Sequence, residues 1–120
     1  MATGEIGTFP GGDVGNLSEW MLASRVLESF GQIDILVNDA AYNKWIPFDD
    51  LEALTYEEWH KILDVNLTGP MLCTKAVAPA MRRQGAGRIV NISSVAGLSP
   101  SGSSIPYAVS KAWSFTSRGT

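Results

Sequence analysis

Ile33-Asp34-Ile35-Leu36-Val37 and Arg88-Ile89-Val90-Asn91-Ile92-Ser93 are short runs rich in β-branched residues. Runs of this length and composition read as buried strands of a parallel sheet. Between them, Thr55-Tyr56-Glu57-Glu58 has capping-box spacing and predicts a long helix running to about Arg83. Trp59, Ile62 and Asn66 fall on one face of that helix. Gly85-Ala86-Gly87 then punctuates the chain before the second run. Strand, long helix and strand make one unit of a doubly wound α/β sheet, in which the two strands lie side by side and parallel. Ligands of such sheets sit at the carboxyl ends of the strands. Asn38 and Ser94 fall there, one after each run.

Working outward, Asn16 followed by Glu19 is a second pair with capping spacing, and Gly31 is placed to end the helix it opens. Leu17, Trp20, Val26, Leu27 and Phe30 suit a buried stripe on it. Ile6-Gly7-Thr8-Phe9 is a weak strand candidate ahead of Gly12-Asp13-Val14. After Asn38 comes a loop of about 17 residues bearing Tyr42, Trp45 and Phe48; loops of that length are uncommon unless functional or carrying a short helix. The aromatics are expected to pack on the domain. Gly97 to Pro106 is a Ser/Gly/Pro loop, and Pro106 suits the first turn of a final helix.

The 120 residues suffice for one domain with a modest core, and 45% apolar with 18% charged residues is ordinary for a globular protein. A net charge of −3 and a pI near 5.0 argue against a nucleic-acid surface. Arg82-Arg83 is best read as the basic end of a helix. Cys73 is the only cysteine, which excludes an internal disulfide or a thiolate metal cluster. His60 has no partner at ligand spacing, so no metal site is expected. No apolar run spans a bilayer and no secretion signal opens the chain, so the expected setting is the cytoplasm, with neither membrane nor nucleic acid as partner.

The chemistry-bearing spacing is Tyr107-Ala108-Val109-Ser110-Lys111, with Ser94 thirteen residues before the tyrosine. On a helix, residues four apart stack on one face. An ammonium held beside a phenol favours its ionised form and turns a group of reference pKa about 10 into a usable proton donor and acceptor. Alone, Tyr-x-x-x-Lys describes many surface helices; the segments upstream give it meaning. Asn66 adds a check. Pro70 stands four residues after it and has no N–H, so the Asn66 carbonyl loses its usual helical donor.

Five segments in order, namely Gly12-Asp-Val14, Asp34-Ile-Leu-Val-Asn-Asp-Ala-Ala41, Asp64-Val-Asn-Leu-Thr-Gly69, Gly87-Arg-Ile-Val-Asn-Ile-Ser-Ser-Val-Ala-Gly97 and Tyr107 to Lys111, resemble the short-chain dehydrogenase/reductase family of the Tyr-Lys type. The resemblance covers about Gly12 to Lys111. It implies one incomplete Rossmann-like domain over 1–120 that binds NAD or NADP. It also implies an oxidoreductase interconverting a small-molecule alcohol and a ketone or aldehyde by hydride transfer. Position by position, Asn66, Ser94, Tyr107 and Lys111 match the catalytic tetrad. Ser94 is preferred over Ser93 because it directly precedes Val-Ala-Gly. Asp13 and Val14 match the adenine side of the cofactor site, and Asn38, Ala40 and Ala41 the adenosine ribose. Tyr107 and Lys111 match the nicotinamide end. The helices over 55–83 and 107–118 match the family's association surfaces, which implies a homo-oligomer.

Departures from the family pattern are equally specific. Thr3-Gly4-Glu5-Ile6-Gly7 lies too close to Asp13 to be the glycine-rich phosphate loop, so the partial sheet is expected to lack that strand-loop-helix and the C-terminal substrate region. Asn38-Asp39-Ala40-Ala41 stands where the family usually has Asn-Asn-Ala-Gly. Ala41 adds a methyl, and the Asp39 carboxylate cannot donate as an amide does. The missing phosphate loop, with the two helices that match the family's association surfaces, supports an alternative, a non-catalytic remnant acting as an association module.

Overall fold

The computed structural model describes residues 18–99 and 102–116. The early strand candidate, the Asn16 cap, Asp13 and Val14 lie outside the described residues. In order, the chain forms α1 (Ser18–Phe30), β1 (Ile35–Asn38), a 3-10 turn (Leu51–Ala53), α2 (Tyr56–Leu63), a π turn (Asp64–Thr68), α3 (Gly69–Gln84), β2 (Arg88–Asn91), a second 3-10 turn (Val95–Gly97) and α4 (Ile105–Thr116).

β1 and β2 pair in parallel, with Leu36 opposite Ile89 and Asn38 opposite Asn91. Both strands are shorter than the apolar runs. The Ile33 backbone is held instead by the Gln84 side chain, whose Oε1 accepts from its N–H at 3.0 Å and whose Nε2 donates to its carbonyl at 2.7 Å. At the other end the last rung is Ile92 N–H to the Asn38 carbonyl, 3.0 Å, after which β1 turns away.

The core is Ala23 and Val26 of α1, Ile33 and Leu36, and Ala76, Val77, Ala80 and Met81 of α3. Leu27 packs against it, but Trp20 and Phe30 are exposed, contrary to the stripe drawn from the sequence. α1 meets α3 through the middle of its apolar face, and among the described residues no element packs over the side chains a turn further out. The strands are also less buried than their composition predicts: Ile35, Val37, Ile89, Val90 and Ile92 are 39–47% exposed, and only Leu36 of β1 enters the core.

The long helix is present but built in three pieces. Thr55 caps it, Oγ1 accepting from the Glu58 N–H at 3.1 Å. Ile62 is fully buried and Asn66 nearly so, as their shared face requires. The α ladder cannot pass Pro70 unchanged, and the residues before it widen into the π turn, where the Gly69 N–H reaches back to the Asp64 carbonyl. α3 ends at Gly85, whose φ of 72° suits glycine. No helix among the described residues is long and apolar enough to cross a membrane.

Candidate active site

The sequence-selected residues Asn66, Ser94, Tyr107 and Lys111 come from three places: the π turn, the carboxyl end of β2 and the first turns of α4. Ser104 caps α4, its Oγ accepting from the Tyr107 N–H at 3.3 Å and its carbonyl from the Ala108 N–H at 3.1 Å. Pro106 occupies the first turn, where a missing N–H costs nothing. The helix therefore starts at Ile105, and Tyr107 and Lys111 share a face, the Lys111 Nζ lying 5.7 Å from the Tyr107 ring centre.

Three contacts bind α4 to the end of β2. Ser93 Oγ donates to the Lys111 carbonyl at 2.8 Å, and the Lys111 Nζ donates to the Ile92 carbonyl at 3.2 Å. Gly97 is the third. A methyl there would stand 2.7 Å from both the Ala112 nitrogen and the Lys111 carbonyl carbon, so only glycine lets the Val95–Gly97 turn lie on α4. Ser94 opens that turn, its Oγ accepting from the Ala96 N–H at 3.2 Å. The paired serines thus divide their work: Ser93 ties strand to helix, and Ser94 shapes the turn.

Asn66 is 4% exposed, and its amide is satisfied on all sides. Oδ1 accepts from the Tyr42 N–H at 2.7 Å; Nδ2 donates to the Tyr42 carbonyl at 2.9 Å and to Ser110 Oγ at 3.1 Å. Ser110 Oγ donates in turn to the Tyr107 carbonyl at 2.8 Å. One side chain therefore joins the loop after β1 to the helix bearing Tyr107. Two more bonds tie the same loop to Ser103, just ahead of α4: Ile46 N–H to the Ser103 carbonyl at 2.7 Å, and Ser103 Oγ to Asn43 Oδ1.

Of the loop aromatics, Tyr42 packs on α2 as expected. Its Oη donates to Glu58 Oε2 at 3.2 Å, and Lys61 Nζ sits 4.1 Å over its ring. The Lys44 ammonium bonded to Glu58 holds that carboxyl below its ordinary value. Glu58 consequently serves Tyr42 and Lys44, and Thr55 supplies the cap. Trp45, by contrast, is 72% exposed.

A small cleft at the carboxyl ends of the strands is lined by Asn38, Ala40, Asn66, Asn91, Ile92 and Lys111. Asn38 Nδ2 donates to Asn91 Oδ1 at 2.8 Å, an amide bridge joining the strand ends. Ala40 and Ala41 are exposed beside it. Lys111 is 6% exposed; burial lowers its pKa from the ordinary 10.5, and the Asp39 carboxylate opposes that shift.

Sequence reasoning did not single out Ser104, Ser110 or the Ile92 carbonyl. Ser104 carried a readable signal, a serine just before a helix with proline in its first turn. Ser110 acts through a contact 44 residues away along the chain, and a backbone carbonyl has no signature at all.

Comparison with known proteins gives the family and the fold. The family model for short chain dehydrogenases matches residues 8–115. The second ketoacyl reductase assigned to the granaticin polyketide synthase of Streptomyces violaceoruber is 47% identical over 89 residues, covering 74% of this chain and 36% of that protein. The chain spans about a third of the length of the curated relatives it matches. Among solved structures, NAD+-bound xylitol dehydrogenase superposes with a TM-score of 0.74 at 30% identity, over 82% of this chain and 37% of that one. ElxO with NADP bound gives 0.74 at 28% identity, over 82% and 39%. With the parallel strand pair, the Tyr-Lys helix and the family model in agreement over nearly its whole length, the chain belongs to the short chain dehydrogenase family.

Proposed function

We propose that the protein carrying this segment is an NAD(P)-dependent oxidoreductase that interconverts a small-molecule alcohol and its ketone or aldehyde, with Tyr107 as the general acid and base. The observation that carries the reading is the buried Lys111 ammonium on the helical face of Tyr107, tied to the end of β2 where Ser94 stands.

The residues present fit the nicotinamide end of such a cofactor. The cleft at the strand ends offers the Lys111 cation beside the Asn38 and Asn91 amides, a set suited to ribose hydroxyls. Lys111 would hold those hydroxyls. Ala40 and Ala41, with Asn38 behind them, would lie along the adenosine ribose, and Asp13 and Val14 beside the adenine. When bound, the cofactor supplies the hydride. Ser94 Oγ–H would bond the substrate oxygen, and the Tyr107 Oη–H would pass its proton to that oxygen as negative charge develops. The Lys111 ammonium stabilises the phenolate left behind. Asn66 orients the set, and its backbone carbonyl, deprived of a donor at Pro70, is the acceptor for a proton-relay water.

Reductase-named and dehydrogenase-named relatives support the class of reaction; NAD+-bound and NADP-bound neighbours support either cofactor. Association of copies through α2, α3 and α4 is part of the same proposal, supported by the exposed Tyr56, Met71 and Val109 on those helices. The test is turnover of a carbonyl panel with NADH and NADPH in the protein bearing this segment. Tyr107→Phe should lower kcat by about 10²–10⁴. Undiminished turnover would exclude Tyr107 as the proton donor.

A further inference from the structure

We infer that Ser110 is a positioning residue for Tyr107, its hydroxyl setting where the tyrosine stands relative to the loop after β1. That role rests on the reading of Tyr107 as proton donor. It falls to one of the three residues that the Tyr-x-x-x-Lys spacing leaves open.

A helical serine often donates to a carbonyl one turn back, and Ser110 does so, its Oγ–H reaching the Tyr107 carbonyl at 2.8 Å. The usual case stops there. Here the same oxygen also accepts from Asn66 Nδ2 at 3.1 Å, a contact between residues 44 apart. Ser110 is 2% exposed and Asn66 4%, so both bonds are made away from water. The rest of the Asn66 amide grips Tyr42, accepting from its N–H at 2.7 Å and donating to its carbonyl at 2.9 Å. The Tyr42 backbone, the Asn66 amide, the Ser110 hydroxyl and the Tyr107 backbone are thus joined link by link through direct hydrogen bonds.

The other ties of α4 hold different points. Ser93 joins the Lys111 carbonyl to the end of β2, while Ser103 bonds the loop ahead of the helix and Ser104 caps its first turn. The Ser110 tie enters the helix at Tyr107 itself. Its far end is Tyr42, the residue after Ala41, on the segment proposed to lie along the cofactor. Ser110 would therefore fix the proton donor against the chain that places the hydride. Alanine at this position strips both bonds and leaves a buried amide hydrogen of Asn66 facing a methyl, which favours a shift of α4 on the loop. Proton transfer needs the phenol within hydrogen-bond reach of the substrate oxygen, and a misplacement of about 1 Å can cost about 10²-fold in rate.

The test is a double-mutant cycle on turnover in the protein bearing this segment. Ser110→Ala should lower kcat by about 10–10²-fold with little change in KM for the carbonyl substrate. In the Tyr107→Phe background the same substitution should cost nothing further, because its effect passes through the phenol. An equal loss in both backgrounds would assign Ser110 a general structural role and overturn the inference, as would an undiminished kcat in Ser110→Ala. If the alanine variant does not fold, Ser110→Cys replaces it, keeping the volume with a far weaker donor and acceptor. A second measurement uses the 120-residue chain with ring-¹³C tyrosine, Tyr107 being assigned by its loss in Tyr107→Phe. The Ser110 variant should move the Tyr107 ring resonance and leave that of Tyr56 in place; an unmoved Tyr107 resonance also overturns the inference. Full turnover in Tyr107→Phe would sink the earlier reading alone, and the ring resonance would then decide whether Ser110 places Tyr107.

Discussion

Asn66 shows how much one side chain can hold. Its three hydrogen bonds tie Tyr42 to Ser110, and Ser110 to the backbone of Tyr107. Asn66→Ala would leave the Tyr42 N–H and carbonyl without those partners, at about 1 kcal/mol per bond, and should destabilise the chain by about 2–3 kcal/mol in urea unfolding. Asn66→Asp keeps the acceptor and loses both donated bonds, so it should not restore stability. Lys111 adds a pH dependence. Its folded pKa is lowered by burial, so between that value and the ordinary 10.5 the unfolded chain binds more protons than the folded one. Stability contributed at this site therefore rises with pH across that window, and the cost of burying the charge is present in full below it. Lys111→Met should remove the rise, as urea midpoints measured from pH 8 to 11 will show.

At the scale of elements, the site depends on how α4 is started and how closely the Val95–Gly97 turn approaches it. Ser104 is fully buried and caps the helix, so Ser104→Ala should cost about 1 kcal/mol and loosen the first turn that carries Tyr107. Gly97→Ala is a different kind of change. The added methyl meets backbone atoms of Lys111 and Ala112 at 2.7 Å, and these cannot swing aside as a side chain would. The turn must lift from α4, at about 1–3 kcal/mol for forced overpacking, with the Ser93–Lys111 bond disturbed. Thermal unfolding measures the cost, and the Lys111 NMR resonance reports the displacement. A Gly97→Ala chain with unchanged stability and an unmoved resonance would show that the approach is looser than the geometry indicates.

Over the whole molecule, the two-stranded sheet leaves Val37 and Val90, paired in register, 47% and 44% exposed. Among the described residues no third strand pairs with these two, and a parallel pair with exposed apolar side chains and open edges is prone to associate. Size-exclusion chromatography of the 120-residue chain should show species larger than a monomer, and Val37→Lys with Val90→Lys should shift them toward the monomer. Cofactor binding belongs to the same scale. The spacing of Thr3-Gly4-Glu5-Ile6-Gly7 from Asp13 is too short for a glycine-rich phosphate cradle. NAD(H) or NADP(H) should therefore bind the 120-residue chain weakly or not at all. Titration using its four tryptophans as reporters checks this, and micromolar affinity would contradict it.

Local rules sufficed wherever a residue's role depends on its near neighbours. The two strand runs, the Thr55 cap, the stop at Gly85 and the Tyr107–Lys111 face were all legible from spacing and residue type, whereas the division of the long helix at a π turn before Pro70 was not. The order of the motifs was enough to place the chain in its family. Packing was legible only in part: Val26, Ile62 and Asn66 are buried as their spacing suggests. Trp20 and Phe30 have the periodicity of a core stripe, yet stay exposed because burial requires an opposing surface, which periodicity does not reveal. The strand ends were set by the Gln84 side chain and by the point where β1 turns away, both events between residues about 50 apart. Ser110 was missed for the same reason: it meets Asn66 across 44 residues of chain, a contact that only the folded helix brings about.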